Sequence, residues 1–347
     1  MDKKDLRKLG KPLSHSQSDM RVDRYLGLEF PFLSRTSWQK RCLEGKVFNH
    51  HEQVKPSYRL KEGDQLFHYY PQAFEPEVQR GIFCIFQAKN MVAFYKPPHL
   101  PMHEGGRYRQ NTFFQIIRTS FGPQWRAVHR LDRETSGIVI CASNPQQRSA
   151  LALAFRRRSM EKIYYGIGIG QPPGLMWQVN KPIGLTQETT WRTKRWVDPA
   201  GKEAITKFTV LARHRQYYML KIIPIHGRTH QIRIHASYSG VPLLGDIRYH
   251  HNEQIFLEFL RSGYSSDVLT HIVAPRLCLH AGAIKFQLQQ SDFSIVLPIP
   301  EDMRWIWQTL KKSPDLVASG LPDISDSLHK RYWRRYHIPM GRYSRYT

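Results

Sequence analysis

Residues 127–142 read AVHRLDRETSGIVICA. The second half, Ser136 to Ala142, is an apolar, β-branched run entered through a turn-like Thr-Ser-Gly. That pattern predicts a strand preceded by a tight turn at Gly137. The first half sets Asp132 between Arg130 and Arg133, in a chain with 52 Lys+Arg against 28 Asp+Glu and a formal net charge of +24. A carboxylate at a strand-edge turn is held on rigid backbone yet open to a cleft, which suits a nucleophile or a general base. The competing reading is a plain surface ion pair, worth only about 0 to 1 kcal/mol.

Similar runs lie on both sides: MVAFYKP (91–97), KIYYGIGIG (162–170), ITKFTVLARH (205–214), YYMLKIIPI (217–225) and FSIVLPI (293–299), separated by Gly, Pro and Asn. One clear helix, about 145–158, ends in Phe155-Arg-Arg-Arg158. Strands without alternating helices predict an α+β domain with an antiparallel sheet over residues 89–300, not βαβ repetition. Upstream, residues 1–20 are basic and aperiodic and read as a loose tail. In residues 21–70, Val22, Leu26 and Leu28 suggest a first helix. Ser34 caps a second, whose outer face carries Arg35, Lys40 and Arg41. Gly45 ends it, Val47-Phe48 opens a strand, and Gly63-Asp64 closes a turn. Residues 71–88 read as a connector. Residues 301–347 hold a short helix, EDMRWIWQTLKK, and a tail from Lys330 that interleaves arginines with aromatics, a composition that suits single-stranded RNA and equally a disordered tail with weak, non-specific attraction.

The positive charge points to nucleic acid as partner, and 41% hydrophobic residues are ordinary for a folded protein. No run approaches the roughly 18 apolar residues of a spanning helix, and the start lacks the apolar core of a secretory signal. Neither a membrane nor secretion is expected. Cys42, Cys84, Cys141 and Cys278 form no C-x-x-C pair, which fits reduced thiols and a cytoplasmic location.

Two further stretches carry candidate chemistry. In HGRTHQIRIH (226–235), alternation over Gln231 to His235 predicts a strand, with Gln231 and Arg233 on one face and Ile232 and Ile234 on the other. His226 and His230 share the i, i+4 spacing of helical metal ligands, but Gly227 and the strand pattern oppose a zinc site. In KIYYGIG, Lys162 and Tyr164 share one face of a strand; alone, Tyr164 reads as a core aromatic with a satisfied hydroxyl.

Taken in order, HRLDRETSG, Lys162-x-Tyr164, GRTHQIRIH and the following VPLLGDIRY resemble the RluA-type pseudouridine synthases over about residues 90–300. The likeness extends to YKPPHLPMH (95–103), where His99 replaces the family's usual Gly, and to LHAGAIKF (279–286), which lacks the usual following Pro. RVDRYL, SRTSWQKRCLEGKVFN and KEGD, in that order, resemble the RNA-binding domain named after ribosomal protein S-four, with His50 after Asn49 in place of the usual Gly. These resemblances imply a pseudouridine synthase-type mixed, mainly antiparallel sheet with flanking helices, plus a small N-terminal α/β RNA-binding domain. They imply isomerisation of uridine to pseudouridine in structured RNA, with large-subunit ribosomal RNA favoured over transfer RNA. Asp132 is then the essential carboxylate, Arg233 its bidentate partner, and Tyr164 the aromatic against the target base. Arg130, His129 and Arg228 would contact RNA at the cleft, and Arg21, Arg35, Lys40 and Lys46 in the front domain. No metal or organic cofactor is implied, since no electron or group is carried away, and a monomer is the default. The alternative is a non-catalytic RNA-binding or ribosome-assembly protein on the same fold.

Overall fold

The computed structural model of the protein describes residues 6–312, apart from positions 11, 31–32, 70–74, 107, 187–193, 251, 263–264, 266–267, 269–270 and 289. The basic, aromatic tail from Lys330 lies outside the described residues. The chain divides into a front unit, up to Glu75, and a second unit from Pro76 onward.

In the front unit, Leu6–Leu9 (β1) is followed by helices Val22–Glu29 (α1) and Arg35–Leu43 (α2). Strands Val47–Asn49 (β2), Glu52–Gln53 (β3) and Leu66–Tyr69 (β4) complete it, in an antiparallel sheet of order β1-β4-β2-β3. The expected loose tail is therefore corrected. Residues 6–9 pair with β4, and Leu9 and Leu13 are buried beside Val22, Leu26, Trp38 and Val47. So short a strand is held by backbone pairing and one inward leucine, which leaves no periodicity to read. Helix α1 buries Val22, Tyr25 and Leu26, the i, i+3, i+4 stripe, whereas Leu28 is 61% exposed. Ser34 Oγ accepts from the Ser37 N–H at 3.1 Å. His50 takes the left-handed conformation between β2 and β3, with φ 52°, which His tolerates better than most residues.

The second unit is built on a ten-stranded sheet. Its strands are Phe83–Ala88 (β5), Met91–Lys96 (β6), Arg126–Ala127 (β7), Ser136–Ala142 (β8), Met160–Ile169 (β9), Met176–Asn180 (β10), Ile205–His214, Tyr217–Pro224, Leu279–Leu288 and Ser291–Val296. Between β10 and Ile205–His214, Ile183–Leu185 (β11) and Arg195–Val197 (β12) form a separate ribbon, so the last four strands of the large sheet are β13, β14, β15 and β16. The order is β10-β13-β14-β9-β15-β8-β6-β5, with β16 on β15 and β7 on β8. All its pairings are antiparallel except β15 with β8, where His280 faces Ser136 and Ala281 faces Gly137. The expected connector thus ends in a strand, since β5 pairs with β6. Among the described residues, no helix is long and apolar enough to cross a membrane.

Strand β8 shows why the sheet is central. Every residue in it is buried, and its alternation divides the core. Ile138 and Ile140 meet Leu151 and Ala154 of helix Pro145–Arg156 (α4 in chain order), and Val139 and Cys141 meet Phe113 and Ile117 of helix Phe113–Ser120 (α3). Gly137 has φ +129°, and a Cβ there would strike the Ala281 backbone. Glycine therefore lets β8 and β15 close together just behind the turn that carries Asp132.

Candidate active site

The turn holding Asp132 is anchored at both ends. Leu131 is buried in the cluster around Val139 and Phe113, and the Thr135 N–H donates to Asp132 O at 3.2 Å. Below it, Lys96 Nζ donates to the carbonyls of Pro97 and Leu100, both at 2.8 Å, and of Arg133 at 3.1 Å. Burial, partly offset by Glu134, draws the Lys96 pKa down to about 7. Three carbonyl acceptors nevertheless match the three N–H donors that only the ammonium has.

Opposite this turn stands helix Gln231–Tyr238 (α5). The strand expected over Gln231–His235 is corrected to a helix, and tertiary partners are the reason. Gln231 Nε2 donates to Ile205 O at 2.9 Å and Thr206 Oγ1 at 3.0 Å. His235, one turn on, lies 2.8 Å from Thr206 Oγ1 and 3.0 Å from Lys181 O. With its polar residues satisfied, the helix buries Gln231 to Ala236 on all sides. No sequence periodicity then survives to mark it as amphipathic.

Arg233, only 4% exposed, gathers three carboxylates. Its Nε and Nη2 donate to the two oxygens of Asp246, each at 2.8 Å. Nη1 donates to Asp132 Oδ2 at 3.3 Å and stands 3.7 Å from Glu134 Oε2. The bidentate contact expected for Asp132 therefore goes to Asp246, and Asp132 receives one N–H. The reason is geometric. Gly245, at φ +75°, packs its backbone against Arg276, where a side chain would not fit, and the next residue, Asp246, fills the fork of the guanidinium with both oxygens. Burial would raise the Glu134 carboxyl, but the charges of Arg133 and Arg233 outweigh it and hold it well below the usual range.

Asp132 and Arg233 line a cleft of about 610 Å³, within the size range of small-ligand sites. Tyr164 and Lys162, from β9, point into it with Arg130, Arg158 and Arg228. Burial, then the charge of Asp132, push the Tyr164 phenol above its usual range, so it stays protonated. Burial and the neighbouring Arg158 bring Lys162 down to about 8. The result is one carboxylate, Asp132, held by Arg233, one aromatic face, and a cationic rim, an arrangement able to hold an anionic polymer and present a carboxylate to it.

Residues 90–238 match the RNA pseudouridylate synthase family. An RNA pseudouridine synthase of Aquifex aeolicus is 32% identical over 66% of this chain and 76% of its own. The chain belongs to the RNA pseudouridine synthase family. It is thus an isomerase acting on RNA, of the RluA type. The ribosomal large subunit pseudouridine synthase D of Vibrio vulnificus is 29% identical over 89% of this chain and 95% of its own. Human RNA pseudouridylate synthase domain containing 4 shares the fold, with a TM-score of 0.52 at 22% identity, over 67% of this chain and 94% of that one.

The remaining residues expected to bind RNA stand in different settings. Arg130 is exposed at the rim of the synthase cleft. Arg228 also lines it, with Nε donating to Glu203 O at 3.0 Å. His129 lines the cleft too, with Nε2 accepting the Ile140 N–H of β8 at 3.0 Å and the ring packed on Phe155. In the front unit, Arg21 and Arg35 each donate through Nε to the buried Asp23, both at 3.0 Å. Lys46 pairs with Glu44 at 2.6 Å, and Lys40 is exposed. Sequence reasoning missed Asp246, Glu134 and Tyr249 at the site. Asp246 lies in the VPLLGDIRY stretch, where Gly before Asp was the available signal.

Proposed function

We propose that this synthase converts a uridine of large-subunit ribosomal RNA to pseudouridine, with Asp132 as the essential carboxylate. The observation that carries the reading is Asp132 on the wall of a cationic cleft, 3.3 Å from the buried Arg233, with Tyr164 lining the same space. In the reaction the bond from N1 to C1′ breaks, the base turns, and C5 bonds to C1′. A proton leaves C5 and N1 gains one, so composition is unchanged and no redox or group carrier enters the balance. The target base leaves its stack at a cost of a few kcal/mol, and stacking on Tyr164 recovers roughly 1 to 3 kcal/mol. Arg233 engages Oδ2 with a single N–H, and the lone pairs left on the Asp132 carboxylate serve attack on the ribose or proton transfer.

The name of the Vibrio relative favours ribosomal RNA over transfer RNA. The front unit, which resembles the S-four RNA-binding domain, supplies further phosphate contacts around the exposed Lys40. The same reading has the enzyme act as a monomer in the cytoplasm.

The test is tritium release from RNA labelled at uridine C5, on unmodified ribosomal and transfer RNA. Release from ribosomal RNA alone is expected. Asp132→Asn should lose turnover by at least about a thousandfold, within the range for loss of an essential reacting group, with RNA binding retained. Near wild-type turnover in that variant would remove Asp132 from the mechanism.

A further inference from the structure

Two side chains reach Asp132 from the start of α5: Arg233 of its first turn, and His230, the residue that caps it. Arg233 engages Oδ2, and His230 Nε2 faces Oδ1 at 3.9 Å. The other ring nitrogen of His230, Nδ1, lies 2.8 Å from the hydroxyl of Tyr249. Tyr249 is 2% exposed and is fixed by the residues that fix Arg233. Its N–H donates to Asp246 Oδ1 at 3.1 Å, and its ring lies under the Arg233 guanidinium at 5.3 Å. His230 itself holds a left-handed backbone, φ 57° and ψ 17°, as the residue that opens α5. Such a conformation costs of order 1 to 3 kcal/mol and persists where the surroundings impose it.

Resting on the role proposed for Asp132, we infer that Tyr249 donates its hydroxyl proton to His230 Nδ1, fixes the imidazole with its proton on Nε2, and thereby makes His230 the positioning residue for Asp132 Oδ1. The reverse tautomer would aim a lone pair at the carboxylate, so the network selects the one that aims a proton. Burial keeps the ring neutral, with the His230 pKa drawn down to about 4 even though Asp132 pulls the other way. At 3.9 Å the contact is longer than a hydrogen bond in the free enzyme, and contacts of this kind tighten when substrate binds. Arg233 and His230 together hold the carboxylate plane from both oxygens, which Arg233 alone, with a single N–H on Asp132, does not.

The test is single-turnover tritium release by the full-length enzyme, with RNA affinity and thermal unfolding measured in parallel. His230→Phe and Tyr249→Phe should each slow the bound reaction by about tenfold to a hundredfold, the usual cost of losing an orienting partner, with RNA affinity unchanged. His230→Gln, whose amide N–H can face Oδ1 without a tautomer to set, should regain most of the rate. In that background Tyr249→Phe should cost little, a non-additivity that a merely structural role for Tyr249 does not produce. A folded His230→Phe at wild-type rate would overturn the inference. So would a folded His230→Gln as slow as His230→Phe, or costs of the Gln and Tyr249→Phe changes that simply add. No release by the wild-type enzyme, or full release by Asp132→Asn, would instead sink the underlying reading, and the inference with it.

Discussion

Arg233 places three nitrogens on two carboxylates, and this planar fork is what a lysine lacks. Two of the nitrogens hold Asp246 and the third reaches Asp132. Arg233→Lys keeps the charge but cannot serve both partners. Hydrogen bonds to charged groups contribute about 1.5 to 3 kcal/mol. The variant should therefore lose roughly tenfold to a hundredfold in the rate of the bound reaction, with RNA affinity nearly unchanged. Single-turnover kinetics would check this, and a rate equal to wild type would mean that the bidentate geometry is immaterial. The partnership of Asp132 with Arg233 was legible from the order of the motifs, although the two lie 101 positions apart. The larger claim of Asp246 on the same arginine was not, because nothing local marks an aspartate after a glycine as the partner of a distant guanidinium.

Among the elements, the front helices show a constraint that composition conceals. Asp23 is fully buried at the start of α1 and accepts from Arg21, the residue that precedes the helix, at 3.0 Å, and from Arg35 at 3.0 Å and Gln39 at 2.7 Å on α2. Burial would raise its pKa, but these hydrogen bonds outweigh burial and bring it to about 2. A carboxyl depressed in the folded state adds stability that is present above its unfolded value, near 4. That stability is lost as pH falls from about 4 toward 2. Amide exchange of residues 6–69 in the full chain should accordingly quicken over that window. Asp23→Asn should blunt this acid response and lower the opening free energy at neutral pH by about 2 kcal/mol. An unchanged profile would mean that the α1–α2 junction does not depend on the charge. Helix α5 is the converse case. Its polar residues looked like the outer face of a strand, and only Thr206, Lys181 and Asp246 make them the inner faces of a helix.

For the whole molecule, the net charge of +24 has its counterpart in the structure at the cleft, where Arg130, Arg158, Lys162 and Arg228 line the same space as Asp132. Affinity carried by phosphate contacts falls with salt at a slope of about 0.7 to 0.9 per contact. With about six contacts, RNA binding should weaken by roughly a thousandfold between 50 and 200 mM salt. The rate of the bound reaction should change little, because Asp132, Arg233 and His230 are shielded within the site. Filter binding across a salt series would check the first expectation and saturating single-turnover rates the second. A nearly flat affinity would show that base and shape contacts dominate.

By itself the sequence determined six strands of the large sheet (β6, β8, β9, β13, β14 and β16), the helices α1, α2 and α4, the family and, through the family's motifs, the three residues Asp132, Tyr164 and Arg233 that the structure brings to one cleft. Each of these is written in short-range periodicity, in capping residues or in motifs of contiguous residues, and short-range physics acts the same way before and after folding. Tertiary structure alone decided that residues 6–20 join the front unit, that Gln231–Tyr238 is a helix, and that Arg21 and Arg35 turn to Asp23. It also decided which carboxylate takes the fork of Arg233 and which nitrogen of His230 faces Asp132. In each of these the deciding energy is a hydrogen bond or backbone pairing between residues distant in sequence, and buried polar groups go where their partners are.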